Sequence, residues 1–116
     1  MIRLVRLFTA ADGQSHVQES TLDLHPLDAD SASGWLHAES VRFQQSPPGS
    51  QLPWHDAPQR QYVVTLTGTL EFTTRDGRTF RLGPGDVLLA EDTAGGGHRW
   101  RLIDHRPWTR VYIKLA

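Results

Sequence analysis

Short stretches in which apolar and polar residues alternate make up most of the chain, and turn residues separate them. Leu70–Arg75 is typical, because Leu70, Phe72 and Thr74 fall on one face of an extended strand. Gln61–Thr67 is rich in β-branched residues, which favour strands. The pattern predicts strands at residues 2–8, 40–45, 61–67, 70–75, 78–82, 87–90, 98–103 and 109–115. It also predicts a strand that runs into a loop in residues 16–24, and at most one helical turn in residues 28–36.

Glycine and proline punctuate the second half of the chain. Eight of the ten glycines and five of the seven prolines lie between Pro47 and Gly97, so turns are concentrated there. Asp76-Gly77 is a strong hairpin signal, because a two-residue type I′ turn needs positive φ at both positions. No stretch has the period of a useful amphipathic helix. Many short strands at close spacing favour an all-β barrel or sandwich.

Composition and charge narrow the class of protein. A chain of 116 residues with 38% hydrophobic and 22% charged residues fits one folded domain, residues 1–116. The net charge of −1 and the scattered arginines give no field that would attract nucleic acid or a membrane. The absence of cysteine excludes disulfides, thiolate nucleophiles and Cys-type zinc sites. No apolar stretch spans a bilayer and no signal peptide is recognisable, so a cytoplasmic protein is expected.

Two motifs resemble those of the cupin superfamily. In residues 49–68 the spacing of Gly49, His55, Gln61 and Gly68 resembles the first cupin motif, in which a glycine precedes His-x-His, a glutamate and a closing glycine. In residues 83–98 a Gly-Pro-Gly-Asp turn, an apolar strand and His98 resemble the second motif. The resemblance implies an all-β, antiparallel double-stranded β-helix, the jelly-roll barrel of RmlC-like cupins. It also implies a homodimer, for which residues 2–8 would add to a partner's sheet edge.

Many cupins bind a divalent metal ion through three histidines and a glutamate, and the resemblance transfers this set only in part. His55 and His98 match two histidines, whereas Ala57 replaces the other histidine and Gln61 replaces the glutamate. A neutral set of His55, Gln61 and His98 would hold Fe, Mn, Ni or Zn weakly, because the anionic ligand is lost. Alternatively, the same residues are hydrogen-bonding groups in a metal-free cavity.

The predicted cavity contains further residues on the faces of the site histidines. If Gln61 faces inward, Val63 and Thr65 do so too, and Trp100 shares the face of His98. Trp54, next to His55, completes the predicted ligand pocket, Trp54, Val63, Thr65 and Trp100. Asp56 and Glu91 are the nearby acidic residues, although alternation directs Asp56 away from His55.

Two functions follow from these residues. The first is a small cupin that binds a polar or aromatic molecule in its barrel, in an enzymatic version with a divalent metal ion that polarises a substrate oxygen. The second is a metal-free binding or sensor module with a degenerate cupin site. A stable partner protein without a ligand is a third possibility. The sequence identifies neither the ligand nor the reaction, and it leaves open whether the chain is an enzyme.

Overall fold

A computed structural model describes residues 1–116, and every regular element in it is a strand. The strands are β1 (Arg3–Thr9), β2 (Ser15–Thr21), β3 (His25–Leu27), β4 (Asp30–Ala32), β5 (Ala38–Ser46), β6 (Gln51–His55), β7 (Gln61–Thr67), β8 (Leu70–Thr74), β9 (Thr79–Leu82), β10 (Val87–Glu91), β11 (His98–Leu102) and β12 (Trp108–Leu115). No helix is present that could span a membrane.

The strands form two main sheets that enclose the core. The larger sheet has the order β2-β1-β10-β7-β12-β5, and the smaller one has the order β6-β11-β8-β9. β3 and β4 form a separate hairpin. All pairs are antiparallel except β1 with β10, which is parallel. The all-β jelly-roll prediction is confirmed, with two corrections: the sheets do not close into one barrel, and one strand pair is parallel.

The apolar side chains of β1 and of β7 to β12 pack between the two sheets. In β7, Val63 is buried while its neighbours Tyr62 and Val64 are only partly buried, which is the alternation that the sequence predicts. Trp108 is the largest fully buried side chain, and its indole Nε1 donates a hydrogen bond to Thr65 Oγ1 at 3.2 Å. The buried apolar cluster is formed by Val5, Leu7, Ala57, Val63, Leu70, Phe72, Phe80, Leu82, Leu88, Ala90, Leu102 and Trp108.

The structure differs from the sequence prediction most in the first half of the chain. Residues 28–36 contain no helical turn but the short strand β4. β6 was not predicted as a strand, because Pro53 interrupts its pattern and removes a backbone donor; β6 is an edge strand, where proline is tolerated. β1 was expected to offer a free edge to a partner. It lies between β2 and β10, so both of its edges are already paired and the open edges belong to β2 and β5.

Candidate functional site

A cavity of about 850 Å³ lies between the two sheets. Its floor is the buried core, through Val63, Phe72 and Trp108. One wall comes from β5, β7 and β12 of the larger sheet, and the other comes from β6 and β11 of the smaller one. Its lining combines apolar side chains with many polar and charged ones, and a cavity of this size with convergent polar groups is typical of small-molecule sites.

His55 and His98 meet at one side of this cavity. They are cross-strand neighbours on β6 and β11, and their ring centroids lie 4.4 Å apart at an interplanar angle of 62°. A β-bulge produces this arrangement, because the two steps from His98 to Trp100 face three steps on β6, from His55 to Leu52. All four side chains therefore line the cavity, although strict alternation would turn either Leu52 or His55 outward.

Hydrogen bonds fix the orientation of both imidazoles. His98 Nδ1 donates to Asp92 Oδ2 at 2.5 Å, and the buried Ser15 hydroxyl donates to the same oxygen at 2.6 Å. His55 Nδ1 donates to the carbonyl oxygen of Pro53 at 2.8 Å. Because both acceptors lack a proton, each neutral ring carries its hydrogen on Nδ1 and its lone pair on Nε2. Neither Nε2 atom has a protein partner, so two hydrogen-bond acceptors remain available in the cavity wall.

The position of His55 also affects its protonation. Burial lowers the pKa of His55 below its ordinary value, because a charged imidazole loses hydration there. The hydrogen bond to the Pro53 carbonyl acts in the opposite direction but is the smaller effect. The positive charge of a protonated His98 would lower the pKa of His55 further. His55 is therefore a neutral acceptor at pH 7.

Three of the other predicted residues line this cavity. Gln61 and Val63 on β7 line it, as does Trp100, whose ring contacts Trp108 edge-on at 4.7 Å. The Gln61 amide makes no side-chain hydrogen bond within the protein, so both its donor and its acceptor remain free. Ala57 also lines the cavity and is held by a backbone hydrogen bond to the Asp92 carbonyl, 3.0 Å.

Two predicted pocket residues lie elsewhere. Trp54 does not line the cavity, because the bulge turns His55 inward and leaves its neighbour on the outer side of β6. Its ring lies there against the Arg75 and Arg99 guanidinium groups, 3.9 and 5.0 Å from the centroid. Thr65 faces inward as expected but lies beneath the cavity, where Trp108 covers it and donates to its hydroxyl.

The residues present do not fit a resident divalent metal ion. The cavity offers two imidazole nitrogens and the neutral amide of Gln61, whereas Ala57 supplies no donor. No group of three or more His, Cys, Asp or Glu side chains is placed to hold a metal ion. No carboxylate lines the cavity, although the positively charged Arg110 and Lys114 do. Such a wall repels a cation, and the donor set lacks the anionic ligand that hard and borderline ions favour.

The sequence analysis did not identify Asp92, the carboxylate that orients a site histidine. The structure places Asp56 and Glu91 outside the cavity lining. Burial raises the pKa of Glu91, but its hydrogen bonds from Arg6 and Arg60 outweigh this and hold the pKa below the ordinary value. The acidic residue that contacts a site histidine is instead Asp92, which accepts the hydrogen bond from His98 Nδ1. A signal existed, because Leu88 and Ala90 face inward and the same two-residue period carries Asp92 to that side.

Arg110 is the second functional residue that the sequence analysis missed. It lies on β12, is only 2% exposed and lines the cavity together with Trp108 and Tyr112. The alternation of β12 places these three residues on one face, which the sequence pattern contains. A single arginine in an otherwise ordinary strand gave no reason to expect a buried charge.

Comparison with known proteins agrees with this architecture. A family model described as "Cupin domain" matches residues 42–109. A cupin domain from Bordetella pertussis Tohama I is similar, with 26% identity, a TM-score of 0.51 and coverage of 66% of this chain and 79% of that one. No curated protein matches the sequence.

Two more distant structures share the fold. The Cnp3 cupin domain of Schizosaccharomyces pombe has 14% identity and a TM-score of 0.54, with coverage of 97% of this chain and 86% of that one. A sugar phosphate isomerase of the same superfamily from Silicibacter pomeroyi DSS-3 has 20% identity and a TM-score of 0.52. That match covers 88% of this chain and 59% of the isomerase.

Proposed function

Because the chain belongs to the cupin family, we propose that it binds a small organic molecule in the cavity between its sheets, without a resident metal ion. One observation carries this proposal. His55 and His98 are both held with their Nδ1 hydrogens engaged, so two Nε2 acceptors stand unpaired in the wall of an 850 Å³ cavity. Such a wall is suited to accept hydrogen bonds from hydroxyl or amide groups of a ligand.

The remaining cavity residues support a ligand with both polar and apolar parts. The Gln61 amide is able to donate and accept, and so to orient a carbonyl or a hydroxyl group. Trp100 and Val63 offer apolar surface beside it. An aromatic or cyclic molecule would contact Trp100 while its polar substituents bind the histidines. The metal-dependent version of this function is not proposed, because the donor set lacks an anionic ligand.

A panel of metabolites tests the binding function directly. The full chain, purified without a His-tag, is analysed for metal content and screened for a rise in melting temperature. We expect metal far below one ion per chain and a concentration-dependent rise with at least one compound, because a ligand that binds only the folded state stabilises it. His55→Ala and His98→Ala should weaken that effect, whereas the exposed His37→Ala should not.

Two results would contradict the proposal. Near-stoichiometric metal that is lost in His55→Ala would restore the metal-dependent version. A broad panel without any thermal shift would leave the cavity without a binding function. The panel includes sugar phosphates, because a structural neighbour is described as a sugar phosphate isomerase, a likeness that at 20% identity concerns the fold alone.

Acid–base catalysis is a second candidate function, favoured by the Asp92–His98 pair. The buried Asp92 carboxylate accepts the Nδ1 hydrogen of His98 and so fixes the ring with Nε2 free, which is the arrangement of a general base that takes a proton at Nε2. Compounds that bind are incubated in deuterated water and followed by NMR. Catalysed exchange of a carbon-bound proton that is lost in His98→Gln would support proton transfer by His98. If no bound compound exchanges a proton, ligand binding is the only function that remains proposed.

A further inference from the structure

Arg110 is a buried cation in the wall of the cavity. Its side chain is only 2% exposed, and its guanidinium carbon lies 3.8 Å from the centroid of the Trp108 ring and 5.4 Å from that of Tyr112. Burial of a full charge is costly unless an opposite charge compensates it. Arg110 takes part in no ion pair; the arginines that do are Arg3, Arg6, Arg60, Arg78, Arg81 and Arg101.

The hydrogen bonds of Arg110 leave one end of the guanidinium free. Nε donates to the Tyr112 hydroxyl at 3.2 Å, and Nη1 donates to Ser46 Oγ at 2.7 Å and to the Trp108 carbonyl at 3.1 Å. Nη2 has two hydrogens and no acceptor in the protein. Tyr112 accepts from Arg110 and donates to no protein group, so its own hydrogen is free as well. Three donors are thus grouped on one side of the cavity.

The surrounding charges have the same sign. Arg42 on β5 and Lys114 on β12 also line the cavity, whereas no aspartate or glutamate does. The one buried carboxylate, Asp92, does not line the cavity, and its Oδ2 accepts hydrogen bonds from His98 and Ser15. The net charge of the whole chain is −1, so this excess of positive charge belongs to the cavity and not to the protein as a whole.

We propose that Arg110, with the Tyr112 hydroxyl, binds a carboxylate or phosphate group of the molecule held in the cavity. This inference rests on the proposed binding function and adds the chemical class of the ligand, a small organic anion. A planar guanidinium with free N–H groups matches the oxygens of both anions, and a neighbouring hydroxyl supplies a further donor. His55, His98 and Gln61 would bind the uncharged polar groups of the same molecule.

Three small probes of similar size separate charge from shape. The full chain is titrated at constant ionic strength with malonate, with its neutral diamide malonamide, and with inorganic phosphate. Melting temperature and the Arg110 side-chain NMR resonance are followed. We expect malonate or phosphate, but not malonamide, to raise the melting temperature and to shift that resonance. The comparison of the two anions shows whether the site prefers a carboxylate or a phosphate.

Variants assign the effect to Arg110. Arg110→Gln should weaken anion binding roughly tenfold to a hundredfold, since hydrogen bonds to a charged group are worth about 1.5–3 kcal/mol. The exposed Arg106→Gln removes the same charge at the surface and should leave binding unchanged. Arg110→Lys keeps the charge but loses the planar group, so an intermediate loss is expected. If Arg110→Gln does not fold, two other measurements replace it. Tyr112→Phe should weaken anion binding several-fold, and in the unaltered chain the anion should still shift the Arg110 side-chain resonance.

Two results would overturn the inference. If neither anion binds better than malonamide, or if Arg110→Gln binds anions as tightly as the unaltered chain, the guanidinium has only a packing role between Trp108 and Tyr112. Neutral compounds of the metabolite panel that still bind in a manner sensitive to His55→Ala would then preserve the proposed binding function. If no neutral compound and no anion binds, both proposals fail together.

Discussion

Asp92 is the residue on which the orientation of His98 depends. Its Oδ2 accepts hydrogen bonds from both His98 and Ser15 in a place that is fully buried. Asp92→Ala should therefore destabilise the fold, because the His98 N–H and the Ser15 hydroxyl would both remain buried without an acceptor. The expected loss in the free energy of unfolding is about 1–3 kcal/mol for each unpaired donor. Urea denaturation monitored by tryptophan fluorescence measures it.

Ser15→Ala provides the graded comparison. It removes one donor and leaves the Asp92–His98 hydrogen bond in place, so its cost should be clearly smaller than that of Asp92→Ala. Ligand affinity should also differ between the two variants. Asp92→Ala should weaken binding, because His98 can then exchange tautomers, whereas Ser15→Ala should not. Equal losses of stability in both variants would contradict the role assigned to the carboxylate.

The half-buried position of His55 predicts a pH dependence of stability. Burial lowers the pKa of His55 in the folded state below the ordinary value of 6.5. Between these two values the unfolded chain binds a proton that the folded chain does not, so acidification favours unfolding. The free energy of unfolding should therefore fall as the pH decreases from above 6.5 towards the lowered pKa. Urea denaturation at pH 7.5 and at pH 5.5 tests this.

His55→Gln identifies the source of that pH dependence. It should flatten the decline between these two pH values, while the exposed His37→Gln should not. Asp12, Asp76, Glu91 and Asp104 do not interfere, because their pKa values are lowered and their stabilisation is lost only below the unfolded values of 3.8 to 4.5. An equally steep decline in His55→Gln would assign the effect to other groups.

At the scale of the strands, Gly97 maintains the contact between β11 and β6. It has a φ of +74°, and a Cβ at this position would collide with the backbone carbonyl of His55. Gly97→Ala should therefore displace β6 where His55 enters the cavity and reduce stability by about 1–3 kcal/mol. Thermal unfolding and the affinity of a ligand found in the panel measure both effects.

Gly83→Ala is the matched control for this substitution. A Cβ at Gly83 meets nothing within 4 Å, and its φ is outside the left-handed region, so stability and binding should change little. A Gly97→Ala chain that binds its ligand as the unaltered chain does would show that the close approach of the two backbones is not needed for the site.

Strand periodicity predicted more of the fold than of the site. The two-residue period found β7, β8 and β11 nearly to their ends, and it placed Gln61, Val63 and Trp100 correctly on the cavity side. It failed at β6, because a bulge depends on how two strands pair and leaves no mark in one of them. Trp54 was assigned to the cavity because it adjoins His55, although adjacent residues of a strand face opposite sides.

At the scale of the whole molecule, the charge of the cavity was beyond sequence reasoning. Arg42, Arg110 and Lys114 come from β5 and β12, which pair with each other but are separated by more than fifty residues of sequence. The two sheets bring these cations to the same space as the histidines of β6 and β11. The net charge of the chain, −1, hides this separation, because the acidic residues lie outside the cavity lining.

The open edge of β5 leads to a prediction about self-association. β5 is nine residues long and pairs only with β12, and Phe43 on it is 72% exposed. Trp35 and Leu36, just before this strand, are exposed as well. A long edge strand with apolar side chains favours pairing with another strand, and a second copy of β5 in a two-fold dimer would satisfy both edges at once.

We therefore expect a dimer that forms through β5, not through β1 as the resemblance to cupins implied. Light scattering should give twice the 13.1 kDa mass of one chain, and Phe43→Lys should shift the mass towards 13.1 kDa. Leu27→Lys places the same charge on an exposed residue of β3 and should leave the dimer intact. Because Phe43 does not line the cavity, its substitution should spare ligand binding. A monomeric mass for the unaltered chain would refute the dimer, whereas a dimer insensitive to Phe43→Lys would move the interface to the other open edge, β2.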